Sequence, residues 1–422
     1  MQYKKKVLKN GMRVVVVPMK DTNTITVLSL VEAGSKYENK EKNGISHFLE
    51  HMCFKGTTKR PTSMDINREF DGLGAQSNAF TSEEFTGYYA KAEAKHLNQI
   101  VDIISDMYLN PVFPELEMEK EKGVILQEIS MYEDLPQRMV GKFFMKLLYG
   151  DQPAGMTILG PGANIKNMKR QDFVDYRKKH YVAKATILVV SGKCDAEKVF
   201  ALAEKAFKDI SKGSKDTKKK VVELQKSPQV ILHTKKTDQT HMILGFRAFG
   251  VKDKRSPILG VMSGVLGAGM SSRLFHKLRE EMGVCYYVRS SADEYTDHGY
   301  MAISTGVDRN RVEEVVKVLL EQIKKLKLEL VSVAELKKTK DFLIGNLYLG
   351  LETSDSLAEF YGVQEIVKGE IKTTEQIKAE IEKVTAKDIQ KLAQTIFVNE
   401  GLNLAVIGQG LDPKSLKKIL KI

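Results

Sequence analysis

The sequence has few cysteines and no long hydrophobic run. Only three cysteines occur in 422 residues, Cys53, Cys194 and Cys285. They are too far apart, and odd in number, for a disulfide framework or a CxxC zinc site. No apolar run reaches the roughly 18 residues that a membrane-spanning helix needs. The amino-terminal stretch passes from charged residues directly into an alternating strand. We therefore expect no secretory signal, no membrane association and a cytoplasmic location.

Basic residues are in excess, with a formal net charge of +12 and short lysine runs such as Lys218-Lys219-Lys220. Nucleic-acid binding would require basic residues interleaved with aromatic ones on one face, or a known motif, and the sequence has neither. The glycine-rich stretch at 264–269 is not followed by the GK[ST] of a phosphate loop. Solvated lysine-rich faces account for the charge, and attraction of acidic peptides is a second possibility. No nucleic-acid partner is expected.

The chain reads as two copies of one pattern of strands and helices. Strand-like alternating segments open each copy, at residues 12–18 and 24–31 in the first and at 229–234 and 241–246 in the second. The later segments recur in the same order. These pairs are the strands 86–91 and 299–305, the helices 95–107 and 309–326, the helices that begin at Glu115 and Glu335, and the strands 185–192 and 402–410.

This order predicts the α+β fold class, with two homologous domains that are each a mainly antiparallel sheet with helices packed on one face. Between the copies, residues 211–227 are polar and rich in lysine, a composition typical of an exposed linker. We therefore predict an amino-terminal domain over residues 1–215 and a carboxy-terminal domain over residues 216–422.

The segment His47-Phe48-Leu49-Glu50-His51 carries the strongest chemical signal. In a helix with Asn43 as its N-cap, His47 and His51 lie one turn apart on one face and can bind the same metal ion. Glu50 projects from nearly the same side. The alternative is a solvated helix face that carries two histidines by chance. A metal site also needs a third protein ligand, which the segment does not contain.

Glu121 and Glu128 are candidates for a further role at such a site. Both lie in the helical segment 117–133, whose apolar residues indicate burial, and a buried carboxylate requires a cation or a metal. Seven residues separate the two glutamates, so both lie on one helix face. Because acidic helix faces are common, spacing alone does not decide whether either residue binds metal.

The HxxEH segment followed by a distal glutamate resembles the pitrilysin-like zinc peptidases, the inverzincins of family M16. The resemblance extends over HFLEHMCFKGTTKRP, the strand that contains Asn78-Ala79, EKGVILQEI and Gly160-Pro161, and over GMSSRLFHKLREEMGVCYY in the second half. It covers essentially the whole chain. The length is that of the two-domain subunits of this family, such as the beta subunit of the mitochondrial processing peptidase and the bacterial members.

The resemblance implies one zinc ion per chain, with His47, His51 and Glu128 as its protein ligands and an open fourth position. It implies that Glu50 is the general base acting on water bound to zinc. Glu121 matches a family position that supports the site without binding the metal, which is consistent with orienting a ligand.

The second copy of the repeat lacks these zinc ligands and the general base. Aligning the repeats places Asn346 opposite Glu128, so no zinc site is expected there. Arg279 and Tyr286 resemble the pair that reaches over the substrate in this family, where a tyrosine hydroxyl would stabilise the tetrahedral oxyanion. Without the resemblance, they are a surface arginine and a core tyrosine near a turn.

Residues 75–80 resemble the edge strand along which an extended substrate pairs in this family, beside Asn78 and Ala79. The implied activity is that of a zinc-dependent endopeptidase acting on extended or unfolded peptides. It would work inside a chamber formed by paired subunits, either as a homodimer or as a heterodimer with a zinc-less paralogue. The alternative is a non-catalytic scaffold or partner subunit of the same family. Such members usually lose the ligand set, which is complete here.

Overall fold

A computed structural model describes residues 2–422 of the chain. The chain forms two compact units, each assembled from three separate segments. Unit 1 comprises the described residues up to Ile129, Met156–Lys219 and Leu349–Thr373. Unit 2 comprises Ser130–Gly155, Lys220–Tyr348 and Thr374–Ile422. Among the described residues, no helix has both the length and the apolar character needed to cross a membrane.

Unit 1 contains a six-stranded sheet in the order β1-β2-β6-β3-β5-β4, and only the β2–β6 pair within it is parallel. In chain order, the first half has the following elements: β1 Lys4–Val7, β2 Arg13–Pro18, β3 Thr24–Val31, α1 Ile45–Met52, α2 Ser63–Gly72, β4 Gln76–Thr81, β5 Thr86–Glu93, α3 Leu97–Leu109, α4 Glu115–Asp134, α5 Pro136–Tyr149, α6 Gly162–Asn167, α7 Arg170–His180, β6 Thr186–Gly192 and α8 Ala196–Ala206.

Unit 2 contains a five-stranded sheet in the order β7-β11-β8-β10-β9, and only the β7–β11 pair within it is parallel. A π-helical stretch, His276–Glu281, follows the tenth helix. The second half has the following elements: β7 Gln229–Thr234, β8 Thr240–Ala248, α9 Ser256–Gly267, α10 Arg273–Phe275, β9 Cys285–Glu294, β10 Gly299–Val307, α11 Val312–Leu328, α12 Val333–Leu349, α13 Ser354–Lys368, α14 Thr374–Lys383, α15 Ala386–Ile396, β11 Leu402–Gly408 and α16 Pro413–Ile419.

The two sheets confirm the predicted α+β class and the internal repeat. Apart from β1, their strand orders and directions correspond one to one. The edge hairpins also match, because Thr81 pairs with Thr86 in one sheet and Glu294 with Gly299 in the other, each closing a turn of the same length. Alternating hydrophobicity located the strands because one face of each is apolar over several residues.

The prediction that helices cover one face of each sheet is wrong, because the second face is also covered. In unit 1, α13 packs on β3 and β6 so closely that a Cβ atom on Gly362 would lie 2.6 Å from a methyl carbon of Leu30. In unit 2, α5 packs on β8 and β11, and the Phe144 ring occupies the space beside Gly245. Each covering helix comes from the other half of the sequence. Strands such as β6, buried at every residue, need this second layer.

The segment between the halves is mostly exposed, as its composition indicates, but its first part is held by ion pairs. Within unit 1, Lys215 pairs with Glu32, and the Lys218 ammonium lies 3.1 Å from a carboxylate oxygen of Glu84. The division into homologous domains at residues 1–215 and 216–422 remains a prediction from the sequence.

Candidate metal centre

The helix that carries the two histidines, α1, begins one residue later than expected. Asn43 is not the N-cap, because its side-chain amide donates to Glu38 and to the carbonyl of Thr157. The N-cap is Gly44, whose φ of 101° is left-handed and whose Cβ, if present, would lie 2.6 Å from the Leu159 carbonyl oxygen. The helix start is capped instead by the buried Glu38 carboxylate, which accepts from the backbone N–H groups of Gly44 and Ser46, each at 2.8 Å.

Replacing Glu38 by alanine is expected to lower the free energy of unfolding by about 2–3 kcal/mol, because several buried donors at the start of α1 lose their acceptor. Urea unfolding followed by circular dichroism measures the change. Glu41→Ala is the matched control, because Glu41 is an exposed glutamate in the same loop. An equal loss of stability in both variants would contradict the capping role.

Three potential ligand atoms converge beside α1. The Nε2 atoms of His47 and His51 are 3.3 Å apart. A carboxylate oxygen of Glu128, from α4, lies 3.5 Å from the first and 3.8 Å from the second. Ligands about 2.0–2.1 Å from a tetrahedral zinc ion are roughly 3.3–3.4 Å from one another, so the observed spacing fits zinc. Within residues 2–422, this is the only group of three such side chains with converging donors.

The three candidate ligands differ in how strongly they hold a proton. Burial, reinforced by the neighbouring His51, lowers the pKa of His47 to about 3, so its imidazole is neutral near pH 7. Burial raises the pKa of Glu128 above its ordinary value. Burial lowers the pKa of His51, but hydrogen bonding to Glu121 and the surrounding carboxylates outweigh it, so the net shift is upward in the metal-free protein.

Glu121 holds His51 in the orientation that metal binding requires. Its carboxylate is almost fully buried and lies 2.8 Å from His51 Nδ1. With the proton on Nδ1 donated to Glu121, the lone pair of Nε2 faces the other ligands. The second oxygen of Glu121 is 2.6 Å from the Lys55 ammonium. Burial raises the pKa of Glu121, but its hydrogen bonds with His51 and Lys55 lower it overall, which keeps the group ionised.

Replacing Glu121 by glutamine is expected to weaken zinc binding about 10- to 100-fold, because His51 loses a charged partner that fixes its tautomer. Competition with a chelating dye measures the dissociation constant. Glu119→Gln is the control, since Glu119 is largely exposed on the same helix. Unchanged zinc affinity in the Glu121 variant would rule out a positioning role for this carboxylate.

Glu50 lies on the same helix as both histidines and has one hydrogen-bond partner. The Thr81 hydroxyl donates to its Oε2 atom at 2.6 Å, and no described residue donates to Oε1. Burial raises the pKa of Glu50, while the hydrogen bond from Thr81 opposes this shift. A base with a raised pKa and an oxygen without a protein donor suits proton transfer.

The strand that contains Asn78 and Ala79 lies at the edge of the unit 1 sheet, as the sequence predicted. It is β4, which among the described strands pairs only with β5, so its other side offers backbone groups to a further strand. Asn78 is exposed and Ala79 half-buried. The backbone N–H of Ala79 also donates to the side-chain oxygen of Asn78 at 2.9 Å.

Arg279 and Tyr286 are neighbours in unit 2. The Arg279 guanidinium donates to the backbone carbonyl of Tyr286 at 2.9 Å and lies over its ring, 5.0 Å from the centroid. Tyr286 is 74% exposed, so the alternative of a core tyrosine is wrong. Asn346, placed opposite Glu128 by the repeat, donates to the carbonyl of Phe342 in its own helix, α12.

The roles of three residues that matter for this geometry were not predicted from the sequence: Glu38, Lys55 and Thr81. Each contacts its partner from a loop or from a segment far away in the sequence, where helix and strand periodicity predicts no contact. The one available signal concerns Lys55, because it follows His51 by four residues, the spacing of neighbours on one helix face, although α1 ends at Met52.

The sequence matches peptidase family M16 in two stretches. Residues 13–162 match the family described as insulinase (peptidase family M16), and residues 167–343 match the peptidase M16 inactive domain.

Among similar proteins, an uncharacterised zinc protease of Bacillus subtilis is 34% identical over 396 residues, covering 93% of this chain and 95% of the relative. An uncharacterised zinc protease of Rickettsia felis is 34% identical over 391 residues, covering 92% and 94%. The relatives define a class of zinc proteases. Within it, this chain belongs to peptidase family M16, which confirms the predicted resemblance.

Solved structures agree in fold. A protease from Helicobacter pylori superposes with a TM-score of 0.90 at 24% identity, covering 96% of this chain and 99% of that one. A Pseudomonas fluorescens protein described as a peptidase M16 inactive domain gives 0.90 at 16% identity, with 97% and 99% covered. Complex III of Candida albicans contains a chain that gives 0.86 at 16% identity, with 99% and 100% covered. At these identities the likeness establishes the two-unit fold alone.

Proposed function

We propose that this protein is a zinc endopeptidase that cleaves extended or unfolded peptides. The observation that carries the proposal is that ligand atoms of His47, His51 and Glu128 lie within 4.8 Å of one another. Glu50 lies on α1 with the two histidines, and Glu121 lies on α4 with Glu128. Three protein ligands leave one coordination position open, as a catalytic zinc requires. The names of the relatives support the same activity.

In the proposed reaction, Glu50, Glu121 and Lys55 have separate roles. Zinc, when bound, supplies Lewis-acid chemistry that acidifies water and polarises the scissile carbonyl. Glu50 accepts the proton of the attacking water on the oxygen that Thr81 does not occupy, and then delivers it to the leaving amine. Glu121 keeps the Nε2 lone pair of His51 directed at the metal, and Lys55 keeps Glu121 ionised.

The edge strand β4 supports a way in which the protein could recognise the backbone of its substrate. We propose that an extended peptide pairs with β4 beside Asn78 and Ala79, because the free side of an edge strand recognises extended backbone with little demand on sequence. We also propose that Arg279 and Tyr286 contribute to the reaction, the tyrosine hydroxyl stabilising the oxyanion. The exposure of Tyr286 and its contact with Arg279 support that role.

One experiment separates this activity from a scaffold role. The purified protein should contain zinc and cleave an internally quenched, unstructured peptide, lose cleavage when treated with a zinc chelator, and regain it when zinc is returned. Protein that binds zinc but does not cleave such peptides would favour the non-catalytic partner subunit instead. Cleavage that persists without zinc would contradict the mechanism.

We further propose that the active form is a pair of subunits that encloses the substrate, either two copies of this chain or one copy with a zinc-less paralogue. The expected result of analytical ultracentrifugation is a species of twice the chain mass, or a weakly active monomer whose activity rises when the paralogue is added. A stable monomer with full activity would count against the enclosed chamber.

A further inference from the structure

The structure assigns Thr81 a positioning role: we propose that its hydroxyl fixes the carboxylate of Glu50 and so links the edge strand β4 to the catalytic base. The inference rests on the proposed peptidase function and extends it to a residue outside the HxxEH segment and the ligand set. Its starting point is the 2.6 Å hydrogen bond from Thr81 Oγ1 to Glu50 Oε2. This length is typical of a hydroxyl that donates to a charged carboxylate, which is among the stronger kinds of hydrogen bond.

The neighbouring threonine competes only weakly for the Thr81 proton. Thr86, the register partner of Thr81, donates its own proton to the carbonyl of Ala33 at 2.9 Å, so towards Thr81 its oxygen can only accept. The two threonine oxygens are 3.4 Å apart, much farther than the 2.6 Å between Thr81 Oγ1 and the accepting carboxylate oxygen of Glu50. A hydroxyl has a single proton. The Thr81 proton therefore goes to Glu50 Oε2, and no described residue donates to Glu50 Oε1.

Thr81 is itself held by a rigid turn. The turn at residues 82–85 closes with the Ser82 N–H donating to the Phe85 carbonyl at 2.8 Å, while the Ser82 hydroxyl accepts from the Phe85 N–H at 3.1 Å. Backbone hydrogen bonds join this turn to residues 35–36, and the buried Lys36 ammonium lies 2.9 Å from Glu84. Thr81 is therefore held in place by the turn and can orient the Glu50 carboxylate through its hydroxyl.

The consequence concerns the chemical step rather than metal binding. Among the described residues, Thr81 hydrogen-bonds to neither histidine nor Glu128, so the zinc ligands should keep their positions without it. Without the Thr81 hydroxyl, the Glu50 carboxylate loses the donor that fixes its orientation and is expected to rotate among several positions. A base displaced by about 1 Å can lower the rate by up to roughly 100-fold. Because β4 also carries the proposed peptide-docking edge, Thr81 sets the base relative to the bound substrate.

The test compares Thr81→Val, which keeps the shape but removes the hydroxyl, with Thr81→Ser, which keeps the hydroxyl. For Thr81→Val we expect kcat to fall about 10- to 100-fold while KM stays within about twofold and zinc content is unchanged. Thr81→Ser should recover most of the wild-type kcat. In a Glu50→Gln background, Thr81→Val should have no further effect. Thr58→Val, on an exposed threonine, controls for the substitution itself.

Several outcomes would overturn the inference. Wild-type kcat in Thr81→Val would do so, as would an equal loss in the serine variant, because the methyl group would then matter rather than the hydroxyl. A rise in KM with unchanged kcat would assign Thr81 to substrate docking alone. If Thr81→Val unfolds, as judged by circular dichroism, the serine variant decides between these outcomes. Failure of the proposed function is distinguishable, because wild-type protein would then show no zinc-dependent cleavage at all.

Discussion

Replacing Glu50 by glutamine is expected to leave zinc bound and to reduce kcat by roughly 10²- to 10⁴-fold, the usual contribution of a general base. Glutamine keeps the size of the side chain and can still accept the Thr81 hydrogen bond, but it cannot take a proton from water. Mass spectrometry of the metal content tests whether zinc is retained, and cleavage of a quenched peptide by the same sample tests whether kcat falls.

Glu119→Gln serves as the control for this variant, because it makes the same glutamate-to-glutamine change at a largely exposed position of α4. It should retain wild-type zinc and activity. Turnover by Glu50→Gln equal to that of the wild type would remove Glu50 from the mechanism. Loss of zinc together with activity would show that Glu50 supports the metal rather than the proton transfer.

Replacing Glu128 by alanine is expected to produce the opposite pattern, in which zinc is lost first. The three ligand atoms lie within 4.8 Å of one another, and removing one leaves two imidazoles on a single helix. We expect a loss of zinc affinity larger than the 10- to 100-fold typical of a residue that only supports a ligand. Dialysis against a chelator of known affinity, followed by zinc analysis, measures the change.

Activity of Glu128→Ala should follow its zinc content and return in part when excess zinc is added. This distinguishes the variant from Glu50→Gln, whose activity added zinc does not restore. Glu119→Ala, on the same helix, is the matched control and should retain its zinc. A Glu128→Ala protein that holds full zinc against the same chelator would contradict the assignment of Glu128 as a ligand.

The sequence predicted the repeated fold well because the relevant information is local. The strand predicted from alternating hydrophobicity at residues 24–31 is β3 over its full length, and seven of its eight residues are buried. The helix predicted at 309–326 begins at Val312 instead, because residues 309–311 form a short 3₁₀ turn next to Asp308. Such shifts at helix ends are expected, since end residues are held by side chains and neighbouring turns.

The exchange of covering helices was not predictable from these patterns. The sequence predicted helices on one face of each sheet, whereas β6 is buried at every residue and therefore covered on both faces. It did not indicate that α13 would supply the layer in unit 1 or that α5 would do so in unit 2. Contacts between segments far apart in the chain depend on three-dimensional packing, which periodicity does not encode.

The candidate site divides in the same way. His47 and His51 could be paired from helical spacing alone, because i and i+4 side chains share a face. Glu121 and Glu128 could not be separated by spacing, and only the resemblance distinguished their roles. The structure now gives a physical reason, since Glu128 approaches both Nε2 atoms while Glu121 contacts His51 Nδ1 and Lys55.

Crystallography of the zinc-loaded protein, with anomalous scattering measured at the zinc absorption edge, tests the central claim most directly. We predict one zinc peak in unit 1 of each chain, about 2.0–2.2 Å from His47 Nε2, His51 Nε2 and a carboxylate oxygen of Glu128, with the fourth position open to water. Active protein with no zinc at these three residues, or with zinc held by other side chains, would contradict it.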